Sequence, residues 1–355
     1  MKKRYIFVLI IIILIGIISL ILIKPKINIE EQKEVEKPEA NISIEKEESI
    51  DYNDYKVNEL GNVPIMMYHK IVNISKSTYN VDKDGYNRTK DGFISDLEFY
   101  YNNNYRMIRL IDYINGDIDT KLGYSPIILT FDDGNIDNMR VLGKNEDGSL
   151  IIDPNSAVGI LESFKEKYPD YNVTATFFLN KGLFGQKEYN NDILNWLVDN
   201  NYDIGNHTLN HLKLDRLSNN KVKEEVGKMY NILNDNIPNK YVNIVALPFG
   251  IPYRKDHPNF KHIIEGTYDD IQYKTDGILR VGWDSNVSPY SKEFDPHFMK
   301  RARAYDNNGK DFDIKMVFNL LEETRYISDG NKDTIVVKDK TNLKDNLNKK
   351  VIIYE

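Results

Sequence analysis

In "ILTFDDGN", residues 128–135, an apolar and β-branched run ends at Phe131, and two carboxylates, Asp132 and Asp133, follow at once before Gly134. Adjacent residues on a strand point to opposite faces, so at most one of these acids is a core-facing accident. "SPIILTF", residues 125–131, reads as a strand. The question is why a buried strand should end on two acids and a glycine.

Outward from that point, strand and helix signals alternate. "VPIMMYHKI" (63–71), "NVTATFFLN" (172–180), "DIGNHT" (203–208), "YVNIVALPFG" (241–250) and "GILRVGWD" (277–284) read as strands. "DLEFYYNNNY", "NSAVGILESFKEKYPD", "NDILNWLVDNNY" and "LSNNKVKEEVGKMYNILNDN" read as helices, the last with Ser218 as its cap. Such alternation predicts a parallel sheet covered by helices. Reactive groups in such folds gather at the C-terminal strand ends. No repeat of 20–50 residues is visible.

"DIGNHTLNHLKL", residues 203–214, places His207 and His211 three residues apart, just past a strand end. On a helix or tight turn this spacing puts both imidazoles on one face. Two solvated surface histidines are the bland reading. If the strand ends converge, two imidazoles and one carboxylate make a three-point site for a divalent metal with a position open for water. A metal there can lower the pKa of bound water to about 7, and the second carboxylate is free to take the proton.

"TFDDG" followed by "HTLNH", with "ATFFL" (175–179) between them, resembles the first two motifs of the polysaccharide deacetylases with the NodB homology domain, carbohydrate esterase family 4. The resemblance spans residues 63 to about 300. It implies a distorted (β/α)7 barrel and hydrolysis of an N-acetyl group from an amino sugar. Carried over, it makes Asp132 the catalytic base and Asp133, His207 and His211 the metal ligands. The third motif normally reads Arg-x-Pro-aromatic-Gly. Here "ALPFG" keeps Pro248, Phe249 and Gly250 but places Ala246 where the arginine that orients the base belongs. Arg280 is the candidate replacement, and the fourth motif is echoed by Trp283 and Asp284. The C-terminal acid histidine of the fifth motif has no counterpart near the C-terminus. One subgroup begins with a strand like "PIMMYH" and takes its acid from there, which makes His69 the general acid. Phe249 and Trp283 are the aromatic candidates for stacking on sugar; His257, His262 and His297 read as surface residues.

The N-terminus is set apart. Tyr5 to Ile23 is an unbroken apolar run behind Lys2, Lys3 and Arg4, long enough as a helix to cross a bilayer, and the basic flank puts the remainder outside the cell. The run ends "ISLILIKPK", without the small residues of a cleavage site, which favours an anchor over a cleaved signal peptide. The expected organisation is therefore 1–26 basic end and anchor, 27–60 charged spacer rich in Glu and Lys, and 61–355 the catalytic domain. There is no cysteine, which removes thiolate metal sites and lipoprotein anchoring. Beyond residue 26, 42 basic face 54 acidic residues, a net −12 that argues against nucleic acid as a partner.

The leading expectation is a single-pass, membrane-anchored deacetylase acting on an extracellular N-acetylated glycan, peptidoglycan or poly-N-acetylglucosamine, with zinc, cobalt, nickel or iron as its metal. The alternative is a catalytically impaired domain that binds envelope glycan, suggested by Ala246 and the missing C-terminal histidine. The two differ over Asp132, for which a retired domain has no use. A metallopeptidase would want a glutamate between the histidines, as in H-E-x-x-H, and "HTLNH" has none.

Overall fold

The computed structural model describes residues 50–74 and 81–355. The apolar run 5–23 and most of the expected spacer lie outside the described residues. Among the described residues no helix is long and apolar enough to cross a membrane.

Seven strands build the centre: β1 Ile65–Tyr68, β2 Ser125–Phe131, β3 Thr176–Leu179, β4 Asp203–Asn206, β5 Ile244–Ala246, β6 Gly277–Val281 and β7 Met299–Arg303. Each lies parallel to the next in chain order, and β1 pairs with both β2 and β7, so the sheet closes into a barrel. An eighth strand, Tyr105–Met107, pairs with the first half of β2 outside this ring. The (β/α)7 expectation agrees with this architecture.

The period-2 pattern of the strands sorts their side chains into two layers. Ile65, Ile128, Phe178, Ile244, Ala246, Leu279 and Met299 form one buried cluster. Their strand neighbours Met66, Leu129, Phe177 and Ala302 join a second, together with residues of helices α1 (Lys90–Asn102), α2 (Ala157–Lys167) and α3 (Asn190–Asp199). Val245 and Ile278 meet helix α4 (Asn219–Asn236) in a third. The first cluster is the barrel interior and the other two are the layer beneath the helices. Helix starts follow local chemistry: Thr89, Ser156 and Ser218 each accept a backbone N–H from the first turn.

The spacer does not reach residue 60: Tyr52–Tyr55 is a short helix, and Val57 and Glu59 are buried. Glu59 reads as one more solvated acid, but its carboxylate accepts from Tyr326 Oη at 2.8 Å, Asp329 N at 3.3 Å and Val336 N at 2.7 Å, all far along the chain. β7 carries three basic residues in "MKRAR" and has no apolar signal to announce it, yet it closes the barrel. The polar insert after the first motif forms a hairpin, Val141–Lys144 with Leu150–Ile152. The tail gives helix α5 (Ile314–Leu321) and a strand, Thr334–Val337, paired with Lys350–Ile353 apart from the barrel.

Candidate active site

The acids that end β2 lie at the C-terminal rim of the barrel, and they part company there. Asp132 keeps the inward parity of Ile128 and Thr130 and is buried; its N–H donates to the Tyr68 carbonyl at the end of β1. Asp133 leaves the strand in the left-handed region, φ 75°, which turns its side chain toward the next loops. Gly134 follows at φ 62°, where a Cβ would lie 2.1 Å from the Leu183 carbonyl oxygen, so only glycine fits this turn. The Asp133 carbonyl accepts from Asn180 Nδ2 at 3.2 Å, tying the turn to the end of β3.

His207 and His211 do not form a helical pair. They lie in a loop after β4, with Thr208 and His211 both at positive φ, and such conformations persist only where the surroundings over-determine them. The over-determination comes from α4. Glu225, fully buried, accepts from Asn210 N at 2.8 Å and Asn210 Nδ2 at 2.7 Å, while its own carbonyl accepts from Leu209 N. Asn206 bridges the Val226 carbonyl and the Thr208 N–H. Glu225 gives no sequence signal as a site residue, because its spacing on α4 is that of any helix acid.

Asp133 Oδ1 lies 3.4 Å from Nε2 of both His207 and His211, and one donor atom from each of the three residues falls within 4.8 Å of the others. His207 Nδ1 sits 2.8 Å from the Ala246 carbonyl oxygen, which assigns the ring proton to Nδ1 and leaves Nε2 as the free lone pair. That Nε2 is buried and has no hydrogen-bond partner. An unpartnered, oriented imidazole nitrogen facing a carboxylate and a second imidazole fits a divalent metal, with the Ala246 carbonyl as the outer partner that fixes the ring. Burial alone would drive the His207 pKa down, but Asp132 and Asp133 outweigh it and the pKa rises. For His211 burial prevails, aided by His207, and its pKa falls.

Asp132 stands beside this triad. Its Oδ2 lies 3.8 Å from His69 Nε2 and 3.9 Å from His207 Nε2. Arg301, wholly buried on β7, grips the same carboxylate with Nη1 to Oδ1 at 2.6 Å and Nη2 to Oδ2 at 2.7 Å. Burial would raise the Asp132 pKa; Arg301, His207 and His69 overcome it and hold the carboxyl well below the usual range. Arg301 is the residue that sequence reasoning missed. Arg280, the expected replacement for the motif arginine, has the outward parity next to Leu279 and lies over the Phe298 ring at 4.5 Å.

His69 extends the inward parity of β1 beyond Tyr68, and Asn138 Nδ2 donates to its carbonyl at 2.5 Å. Burial lowers its pKa against the opposing pull of Asp132 and Asp133. Tyr86 meets it edge-on at 4.9 Å. Of the motif aromatics, Phe249 is 48% exposed and packs edge-on against His211 at 4.6 Å. Pro248 and Gly250 are buried beneath it, with the Gly250 backbone against Val281. Trp283 is 54% exposed, and Asp284 pairs with Lys300 at 3.0 Å without touching Asp132. His257, His262 and His297 stay out of the cluster.

A family of polysaccharide deacetylases matches residues 120–259. Among curated proteins none matches. Solved structures resembling the chain include a Bacillus anthracis protein assigned as a polysaccharide deacetylase, at 19% identity, TM-score 0.49, over 68% of this chain and 64% of that one. A Streptococcus pyogenes deacetylase in complex with acetate matches at 17% identity and TM-score 0.49, over 74% of this chain and 97% of that one. A Bacillus cereus polysaccharide deacetylase matches at 18% identity and TM-score 0.48, over 68% and 64%. The chain thus spans under two thirds of both Bacillus proteins, and likenesses this distant carry no conclusion about chemistry. The matched residues hold Asp132, Asp133, His207 and His211, and stop short of His69 on one side and Arg301 on the other. Over residues 120–259, which hold both acids of the first motif and both histidines, the chain carries a domain matching the polysaccharide deacetylase family.

Proposed function

We propose that this chain is a metal-dependent N-deacetylase of extracellular glycan, with peptidoglycan amino sugars as the first substrate and poly-N-acetylglucosamine as the second. The carrying observation is the placement of Asp132 Oδ2 between His69 and His207, beside three residues suited to a metal. Asp133, His207 and His211 would hold the ion, zinc or another borderline metal that accepts imidazole and carboxylate. When bound, it supplies Lewis acidity for the amide oxygen.

The remaining roles belong to the chain's own groups. Asp132, kept ionised, accepts the proton of the attacking water at Oδ2. His69 Nε2, across the same gap, delivers a proton to the amide nitrogen as the C–N bond breaks, so acetate and a free amine leave. Phe249 and Trp283, exposed at the rim, offer apolar faces to a sugar ring. The apolar run 5–23 behind Lys2, Lys3 and Arg4 supports a single-pass anchor with this domain outside the cell. The impaired-domain reading loses its main support, because a buried arginine does hold Asp132 although Ala246 stands in the motif.

The test is acetate release from peptidoglycan, poly-N-acetylglucosamine and chitin oligomers, before and after chelation and zinc return. Release that vanishes on chelation and returns with zinc supports the reading. No release from any of the three, at full metal occupancy, refutes it.

A further inference from the structure

We infer that Arg301 is the positioning residue for Asp132, supplying from β7 the guanidinium that Ala246 on β5 cannot supply. The inference rests on the deacetylase reading above, and it concerns a residue outside the matched family region.

Three observations carry it. First, Arg301 and Asp132 form a two-pronged pair at 2.6 and 2.7 Å, with the Arg301 side chain fully buried and that of Asp132 3% exposed. Such a fork fixes the carboxylate plane as well as its charge. Second, the pair leaves one side of Oδ2 open. Oδ1 is engaged by Nη1 alone, while Oδ2 receives Nη2 and still faces His69 and His207 at 3.8 and 3.9 Å. The fork therefore decides which oxygen, and which lone pair, looks into the reaction gap. Third, Arg301 is itself held: Nη1 also donates to Thr130 Oγ1 at 3.3 Å, and the guanidinium lies 5.7 Å from the Phe178 ring centre on the barrel interior.

Ala246 looks into the same interior. It belongs to the buried cluster of Phe178, Leu279 and Met299, and its carbonyl sits 2.8 Å from His207 Nδ1, whose Nε2 is 3.9 Å from Asp132. One imidazole separates the β5 backbone from the carboxylate. An arginine at 246 would thus enter the space near Asp132 that Arg301 fills from two strands further round the barrel. The guanidinium comes from β7 instead of β5 while the pair with Asp132 is kept.

The test exchanges them back. Arg301→Ala, Arg301→Lys, Ala246→Arg and the double variant Ala246→Arg/Arg301→Ala are compared with wild type in the full chain, reading melting temperature, metal per chain, kcat and KM on an N-acetylglucosamine oligomer. Arg301→Ala is expected to lower kcat at least 100-fold with KM within threefold and metal retained, and Arg301→Lys to recover little because a point charge cannot make the fork. Ala246→Arg alone is expected to lower the melting temperature by burying a second cation. In the Arg301→Ala background it should raise that temperature and restore kcat at least tenfold. Should Arg301→Ala fail to fold, the Lys variant and the double variant carry the comparison. Three results overturn the inference: kcat of Arg301→Ala or Arg301→Lys within threefold of wild type; a double variant that melts like wild type without regaining kcat, which makes the pair structural only; and a double variant that recovers neither. Wild-type chain that releases no acetate is a different failure, since it removes the deacetylase reading itself.

Discussion

Glu59 provides a stability experiment whose sign and size follow from its surroundings. Its carboxyl is buried, with Asp329 close by; these raise its pKa to about 8 against the three donors that favour the charged form. An acid raised in the folded state contributes stability that is intact below its unfolded value, 4.5, and is lost as pH climbs through about 8. Over that window each pH unit costs about 1.4 kcal/mol, so the loss reaches about 5 kcal/mol at most. A loss of that size is a large part of the stability of an ordinary domain. Glu59→Gln removes the titration while keeping an acceptor for Val336 N–H; its amide N–H faces Tyr326 Oη and reverses the bond in which Oη donates to Oε1, and it gives up the longer bond from Asp329 N–H, worth about 1 kcal/mol. Urea unfolding of both proteins from pH 5 to pH 9 is the assay. The wild-type curve should start above that of Glu59→Gln near pH 5, fall relative to it, and cross beneath it before pH 9. Other titrating groups cancel in the difference. Parallel curves would refute the reasoning, for they would mean that the three donors hold Glu59 ionised throughout.

Other expectations follow from single contacts. Gly134→Ala places a Cβ 2.1 Å from the Leu183 carbonyl at φ 62°, so the turn carrying Asp133 must move; metal per chain should fall in any protein that folds, and normal metal content with an unchanged melting temperature would contradict the strain argument. His69→Ala should lower kcat by about 10²–10⁴-fold while retaining the metal, and activity within threefold of wild type would remove His69 from the proton-transfer role. Asp96 accepts from Arg88 Nη2 and Nε at 2.5 and 2.9 Å and from Tyr68 Oη at 3.1 Å, next door to His69. Asp96→Asn should cost about 3 kcal/mol in urea unfolding because Arg88 stays buried; a cost under about 1 kcal/mol would show that Asp82 and Asp306 suffice.

What could be read from the sequence had a local signal. "SPIILTF" matches β2 residue for residue, and Ser218 caps α4 as its position before an amphipathic run implied. Asp133, His207 and His211 come together because each follows a strand end, and parallel strands in a barrel put those ends on one rim. The residues that were missed act across the chain. Arg301 lies in a strand whose alternation is basic rather than apolar, so only the closed barrel, which sets Met299 and Arg301 inward, reveals what it faces. Glu225 and Asn180 hold the ligand loops by hydrogen bonds to backbone groups, and no spacing rule points to such bonds. Of the two conformations that the histidine spacing allows, helix or tight turn, the structure has the second, since His211 reaches Asp133 through positive φ rather than a helical turn.

The central claim is that Asp132 does the proton chemistry beside a metal held by its neighbours. It is tested most directly by measuring acetate release and metal per chain together, for wild type and Asp132→Asn, on an N-acetylglucosamine oligomer. The account predicts about one divalent ion in both proteins and acetate from the wild type alone, with the variant down by at least about 10²-fold. Comparable release from Asp132→Asn at equal metal content would contradict it.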